Sequence, residues 1–143
     1  TRYDWGNRRV LVVEDNPDIQ NVIRWLFHKV GLPADFAANG HAAIEAASNH
    51  PYDLILMDLS MPELDGYATL DELRRRGHTI PVVALTAHAL SEDRQLCLAR
   101  GFADHLTKPI GFKPLVEAVA RLLKLEESDS RIIAVEPDPV PRS

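Results

Sequence analysis

The chain has 143 residues, 45% of them apolar and 26% charged, with a formal net charge of −5. That length suits one domain with its own core, and the acidic balance argues against non-specific binding to nucleic acid or anionic membranes. No apolar run approaches the roughly 18 residues that cross a bilayer, the opening TRYDWGNRR lacks the apolar stretch of a secretory signal, and a lone cysteine, Cys97, excludes an intrachain disulfide and a cysteine-based metal centre. Cys97 reads as a small apolar helix residue, and a cytoplasmic location with no membrane insertion by this segment fits the whole.

Apolar runs and helical patterns alternate five times. Val10–Val13 is a continuous β-branched and leucine run, the mark of a strand buried on both faces, and it ends at Glu14-Asp15. Asn16-Pro17 supplies a helix cap and a first-turn proline. Ile19, Val22, Ile23, Leu26, Phe27 and Val30 follow at helical spacing, up to the stop at Gly31. A short strand at Ala34–Ala37 leads through Asn39-Gly40 to an alanine-rich helix over His41–Asn49. The third strand, Asp53–Met57, stops at Asp58, and the turn-rich SMPELDG brings Asp65 into position to cap a helix reaching Arg76. Gly66 reads as a site of close backbone approach or turn geometry.

Pro81–Leu85 is the fourth strand, ending at Thr86, and a helix over Ser91–Arg100 stops at Gly101. The fifth strand, Ala103–Thr107, ends at Lys108-Pro109. The last helix carries Leu115, Val116, Val119, Leu122 and Leu123, with Gly111 a weak cap and Pro114 tolerated in the first turn. Trp5, ahead of the domain, and Trp25, at the border of the first helix's apolar stripe, read as structural. The predicted organisation is an extension at 1–8, a folded unit at 9–125, and an acidic, proline-containing tail or linker at 126–143. Arg131–Val135 (RIIAV) has the composition of a short strand but is assigned to that tail. Five βα units of this kind imply an α/β fold, a doubly wound five-stranded parallel sheet in flavodoxin-like order 2-1-3-4-5 with helices on both faces.

The polar residues fall where such a sheet binds ligands. Glu14-Asp15, Asp58, Thr86 and Lys108 all follow the carboxyl ends of predicted strands, and strands one and three flank the switch point. Any one of these acids alone reads equally well as a cap. Three converging carboxylates, however, repel unless a cation compensates, and hard oxygen ligands suit Mg²⁺, with Mn²⁺ as a substitute. Asp15 and Asp58 are the expected direct ligands, Glu14 binds directly or through water, and the Ser60 carbonyl completes the protein's share. Asp58, rigid at the end of a buried strand, is the candidate nucleophile for forming a labile acyl phosphate. Lys108 and Thr86 would then hold phosphoryl oxygens.

These residues sit in VLVVEDN (10–16), DLILMDLSMPELDG (53–66), ALTAHA (84–89) and HLTKPI (105–110). Together they resemble the response-regulator receiver domains (CheY-like) of two-component and phosphorelay signalling, above all the receivers of hybrid histidine kinases. The resemblance covers about residues 9–123. It implies Mg²⁺-dependent transfer from a partner phosphohistidine to Asp58, with a histidine kinase, a histidine phosphotransfer protein or both as partners, docking near the Asp58 edge and the first helix. In the family the threonine matching Thr86 turns inward and an aromatic side chain three positions before the lysine follows it. Here that position is His105, which reads equally as a half-buried side chain or as a rotating, pH-sensitive element. Ser60 and His88 match positions that tune acyl-phosphate lifetime, and Lys108-Pro109 matches a bond that is often cis.

The domain is not expected to be a conventional enzyme. An aspartyl-phosphate phosphohydrolase would carry a D-x-D pair where this chain has Asp58-Leu59-Ser60, and a non-phosphorylated pseudo-receiver would not keep the full residue set. No basic recognition helix points to nucleic acid. The Thr1 start and the lack of an output domain after Leu123 fit a receiver cut from a hybrid sensor kinase; a stand-alone single-domain regulator is the alternative.

Overall fold

The structure is a computed structural model that describes residues 2–3, 5–61, 64–87, 90–123 and 132–133. Five parallel strands form the central sheet: β1 (Val10–Val13), β2 (Ala34–Ala37), β3 (Leu54–Asp58), β4 (Val82–Thr86) and β5 (Asp104–Thr107). Their order is β2-β1-β3-β4-β5, as the alternation of apolar runs and helical patterns predicts. The helices are α1 (Pro17–Val30), α2 (Gly40–Asn49), α3 (Gly66–Arg75), α4 (Ser91–Ala99) and α5 (Phe112–Leu122).

Alternation along the strands divides the core into two layers. Val10, Val12, Leu54, Leu56, Val83 and Leu85 face α1 and α5, packing on Ile23, Leu26, Phe27, Leu115 and Val119. Leu11, Val13, Ile55, Met57, Val82 and Ala84 face the other way, onto Ala43, Ile44, Leu70, Leu73 and Cys97. Successive strand side chains point to opposite faces, so strands covered on both sides need continuous apolar runs. Cys97 is fully buried in the second layer, its Sγ 3.5 Å from the Tyr67 hydroxyl.

Helix starts follow local chemistry. Asn16 Oδ1 accepts the N–H groups of Asp18 (2.8 Å) and Ile19 (3.2 Å), Asn39 caps α2 through Ala42, and Asp65 caps α3 through Ala68. Gly31 closes α1 at φ 77°, a left-handed conformation that suits glycine.

Two strands end one residue later than the apolar runs suggest. Asp58 pairs with Leu85 and Thr86 with Thr107, so both site residues are the last rungs of the ladder rather than the first residues of a loop. Trp5, placed ahead of the domain by sequence reasoning, is buried in the α1/α5 layer, where its Nε1–H donates to the Val30 carbonyl at 2.8 Å. Arg2–Tyr3 and Ile132–Ile133 form a separate two-residue antiparallel ladder; the rest of the RIIAV stretch lies outside the described residues.

Candidate metal centre and phospho-acceptor site

The carboxyl ends of β1 and β3 lie side by side, Val13 paired with Met57, so the residues that follow share one edge of the sheet. One carboxylate oxygen from each of Glu14, Asp15 and Asp58 lies within 4.8 Å of the others. Glu14 and Asp58 are buried, whereas Asp15 is exposed. Lys108 reaches in from the end of β5, and its Nζ stands 3.1 Å from both Glu14 Oε1 and Asp58 Oδ1.

Three carboxylates against one ammonium leave a net negative centre that a divalent cation would neutralise. Glu14 Oε1 supports that fit. It is buried and already faces one cation, the Lys108 ammonium at 3.1 Å. The donors are all hard oxygens, the set that suits Mg²⁺ and similar ions. Burial pushes the Glu14 carboxyl above its ordinary value of 4.5, and the bonds from Lys108 and Asn16 only partly reverse this. Burial pulls the Lys108 ammonium down, but its bonds to Glu14 and Asp58 outweigh that and raise it above 10.5. Lys108 is therefore firmly cationic, and the charge at risk is that of Glu14.

Backbone ties hold two of the three carboxylates, those of Asp58 and Glu14, in place. Asp58 Oδ1 accepts the Ser60 N–H at 3.1 Å, and Gly66 packs beneath the same turn. A Cβ on Gly66 would lie 2.8 Å from the Asp58 carbonyl oxygen and 2.9 Å from Leu59 Cα, so only glycine fits without a shift. Asn16 donates its N–H to Glu14 Oε2 at 3.2 Å. Gln20, which sequence reasoning did not single out, donates Nε2–H to the Glu14 carbonyl at 2.5 Å.

Thr86, buried at the end of β4, lies on the same edge, and its carbonyl accepts the Lys108 N–H at 2.7 Å. The Lys108–Pro109 peptide is cis. His105 is 8% exposed, more enclosed than a half-buried side chain, and its Nε2 is buried with no hydrogen-bond partner. His88 lies outside the described residues. Beside Lys108, a groove of about 280 Å³ runs between α1 and the β5–α5 turn, lined by Ile19, Val22, Ile23, Pro109 and Ile110. Val22 and Trp25 continue this apolar surface into solvent, Trp25 being 57% exposed.

Comparison with known proteins places this geometry. The sensor histidine kinase GacS of Pseudomonas protegens is 38% identical over 118 residues, which make up 79% of this chain but 13% of GacS. The receiver domain of the sensor histidine kinase PA1611 from Pseudomonas aeruginosa, solved with a magnesium ion in its active-site cleft, is 38% identical. It superposes with a TM-score of 0.75 over 82% of this chain and 98% of its own. The Saccharomyces cerevisiae Ssk1 receiver, solved with the histidine phosphotransfer protein Ypd1, gives 28% identity and a TM-score of 0.73 over 80% of this chain and 88% of its own. The profile of the response regulator receiver domain matches residues 10–120, the span from the first rung of β1 to the last buried turn of α5. The chain belongs to the response regulator receiver domain family.

Proposed function

We propose that this domain is a phosphorylation-dependent signalling switch in which Asp58 takes a phosphoryl group from a partner phosphohistidine. The observation that carries the reading is the convergence of Glu14, Asp15 and Asp58 with Lys108 on one sheet edge. Glu14, Asp15, Asp58 and the Ser60 carbonyl would hold Mg²⁺, and Mn²⁺ would satisfy the same hard-oxygen set. The bound ion would neutralise phosphoryl oxygens and lower the charge barrier to attack.

The protein's own part is positioning. Lys108 and the Ser60 N–H both engage Asp58 Oδ1, leaving Oδ2 to attack phosphorus. As the new O–P bond forms, the P–N bond breaks, and its electron pair returns to the donor imidazole. Lys108 then offers its charge to a phosphoryl oxygen and Thr86 its hydroxyl to another. His105, already turned inward, is our candidate for the side chain that repacks when Thr86 moves, and Ser60 and His88 for residues that set the lifetime of the acyl phosphate.

Similarity to the sensor histidine kinase GacS supports a kinase-attached setting, as the receiver of a hybrid sensor kinase, and a cytoplasmic location belongs to the same proposal. The Ssk1 complex supports a histidine phosphotransfer protein as partner. The apolar groove beside Lys108 is where a donor imidazole approaching Asp58 would bring its carrier. No described helix is long and apolar enough to cross a membrane.

The test is hydroxylamine-sensitive, Mg²⁺-dependent labelling by acetyl phosphate or a phosphoramidate. Wild type should label and Asp58→Asn should not. Equal labelling of the two would remove Asp58 from the mechanism.

A further inference from the structure

The three residues at the mouth of β1, Glu14 to Asn16, carry two of the three site carboxylates. A short turn of this kind has few intrinsic constraints, so what fixes its backbone also fixes the carboxylates. On one side the Glu14 N–H donates to the Ala37 carbonyl at 3.0 Å, which ties it to β2. On the other side its carbonyl, at the point where the ladder ends, has Gln20 Nε2 at 2.5 Å. A carbonyl can only accept, so the amide nitrogen of Gln20 must be the atom that faces it.

Gln20 is well placed for this. It is the fourth residue of α1, and its own N–H donates to the Asn16 carbonyl at 2.9 Å, the first rung of the helix. Long side chains on a helix lean toward its N-terminus, which carries the amide back over the turn it leaves. Gln20 therefore spans the turn twice, by main chain to Asn16 and by side chain to Glu14. The side chain of the cap Asn16 anchors the helical side, through Asp18 and Ile19, and its N–H meets the Glu14 carboxylate rather than the Glu14 carbonyl.

From this double tie we infer that Gln20 is a positioning residue for the cation site: it holds the Glu14–Asp15 backbone at the separation from Asp58 that lets three carboxylates share one divalent ion. The inference rests on the Mg²⁺ reading given above. It extends that reading to a residue that touches neither the ion nor the phosphoryl group. Supporting shells of this sort matter because a ligand's affinity includes the cost of ordering it.

The experiment is Gln20→Met, which keeps the length of the side chain and removes its donor, with Gln20→Leu as a second variant. Mg²⁺ affinity is measured by calorimetry, amide hydrogen exchange at Asp15 and Asn16 is followed without metal, and acetyl phosphate labelling is timed across Mg²⁺ concentrations. Both variants should bind Mg²⁺ about ten-fold more weakly, the scale of losing a supporting contact. Exchange at Asp15 and Asn16 should quicken, and the labelling rate at saturating Mg²⁺ should stay within two-fold of wild type.

Affinity within two-fold of wild type in both variants would overturn the inference. So would a saturated rate that falls as far as the affinity, because Gln20 would then act on the chemistry or the fold at large. Failure of the underlying reading looks different. A wild-type chain that binds no Mg²⁺ removes the cation site itself, and one that binds Mg²⁺ without labelling removes only the phosphotransfer.

Discussion

Glu14 is a carboxylate that the fold disfavours in isolation and that a cation would favour. Burial raises its affinity for the proton above that of an unfolded glutamate, near 4.5, and Lys108 and Asn16 offset this only in part. As pH rises through the window above 4.5, the unfolded chain releases this proton first, so this group's contribution to stability falls until the folded carboxyl has also ionised. Glu14→Gln should therefore lose that decline, and its urea midpoint at neutral pH should exceed wild type without metal, while its Mg²⁺ affinity drops by about ten-fold or more. Denaturation from pH 4 to 8, with and without Mg²⁺, checks both signs. Asp58, Asp15, Thr86 and Lys108 were legible from sequence because each closes or follows an apolar run, and runs map onto strands. Gln20 was not: a glutamine in the first turns of a helix has the same pattern whether it faces water or bonds a carbonyl.

Among the elements, α4 is held least by burial. Its N-cap, Leu90, offers no side-chain cap bond, and Cys97 is its one buried residue. Its charged tether to the sheet is Asp104 on the edge strand β5. Asp104 Oδ1 pairs with Arg94 of α4 at 2.9 Å, and Oδ2 pairs with Arg121 of α5. The carboxylate thus clasps both flanking helices across an edge that would otherwise stand open. Burial opposes its charge, but the His105 N–H and the two guanidiniums win, and the group titrates below 3.8. The stabilisation is complete above that value and is lost as pH falls through the folded pKa. Asp104→Asn should cost about 1–2 kcal/mol, less than a fully buried pair because both arginines are half exposed. The same change should raise amide exchange in α4 more than in α1. Sequence periodicity found both helices but not the clasp, because partners 10 and 17 residues from Asp104 follow no repeat.

At the scale of the whole molecule, the order β2-β1-β3-β4-β5 was readable because parallel strands covered on both faces need unbroken apolar runs, and right-handed crossovers leave few ways to arrange five of them. The unit's N-terminal limit was less readable. Trp5 sits in a polar opening stretch with no helical or strand periodicity around it, yet its ring lies in the α1/α5 core and its indole N–H satisfies Val30, one of the carbonyls left over at the end of α1. Trp5→Ala should cost about 3–5 kcal/mol, as large core truncations do. A loss below about 1 kcal/mol, read by urea unfolding, would return Trp5 to a dispensable extension.

The two tryptophans are thereby separated by environment. Trp5 is shut away from solvent and Trp25 stands in it, one helix face from the groove beside Lys108. The chain thus carries two intrinsic fluorophores with different duties. Blue-shifted, quencher-resistant emission from Trp5 follows the integrity of the fold. Red-shifted, quencher-sensitive emission from Trp25 follows whatever comes to lie on α1, and neither needs a label.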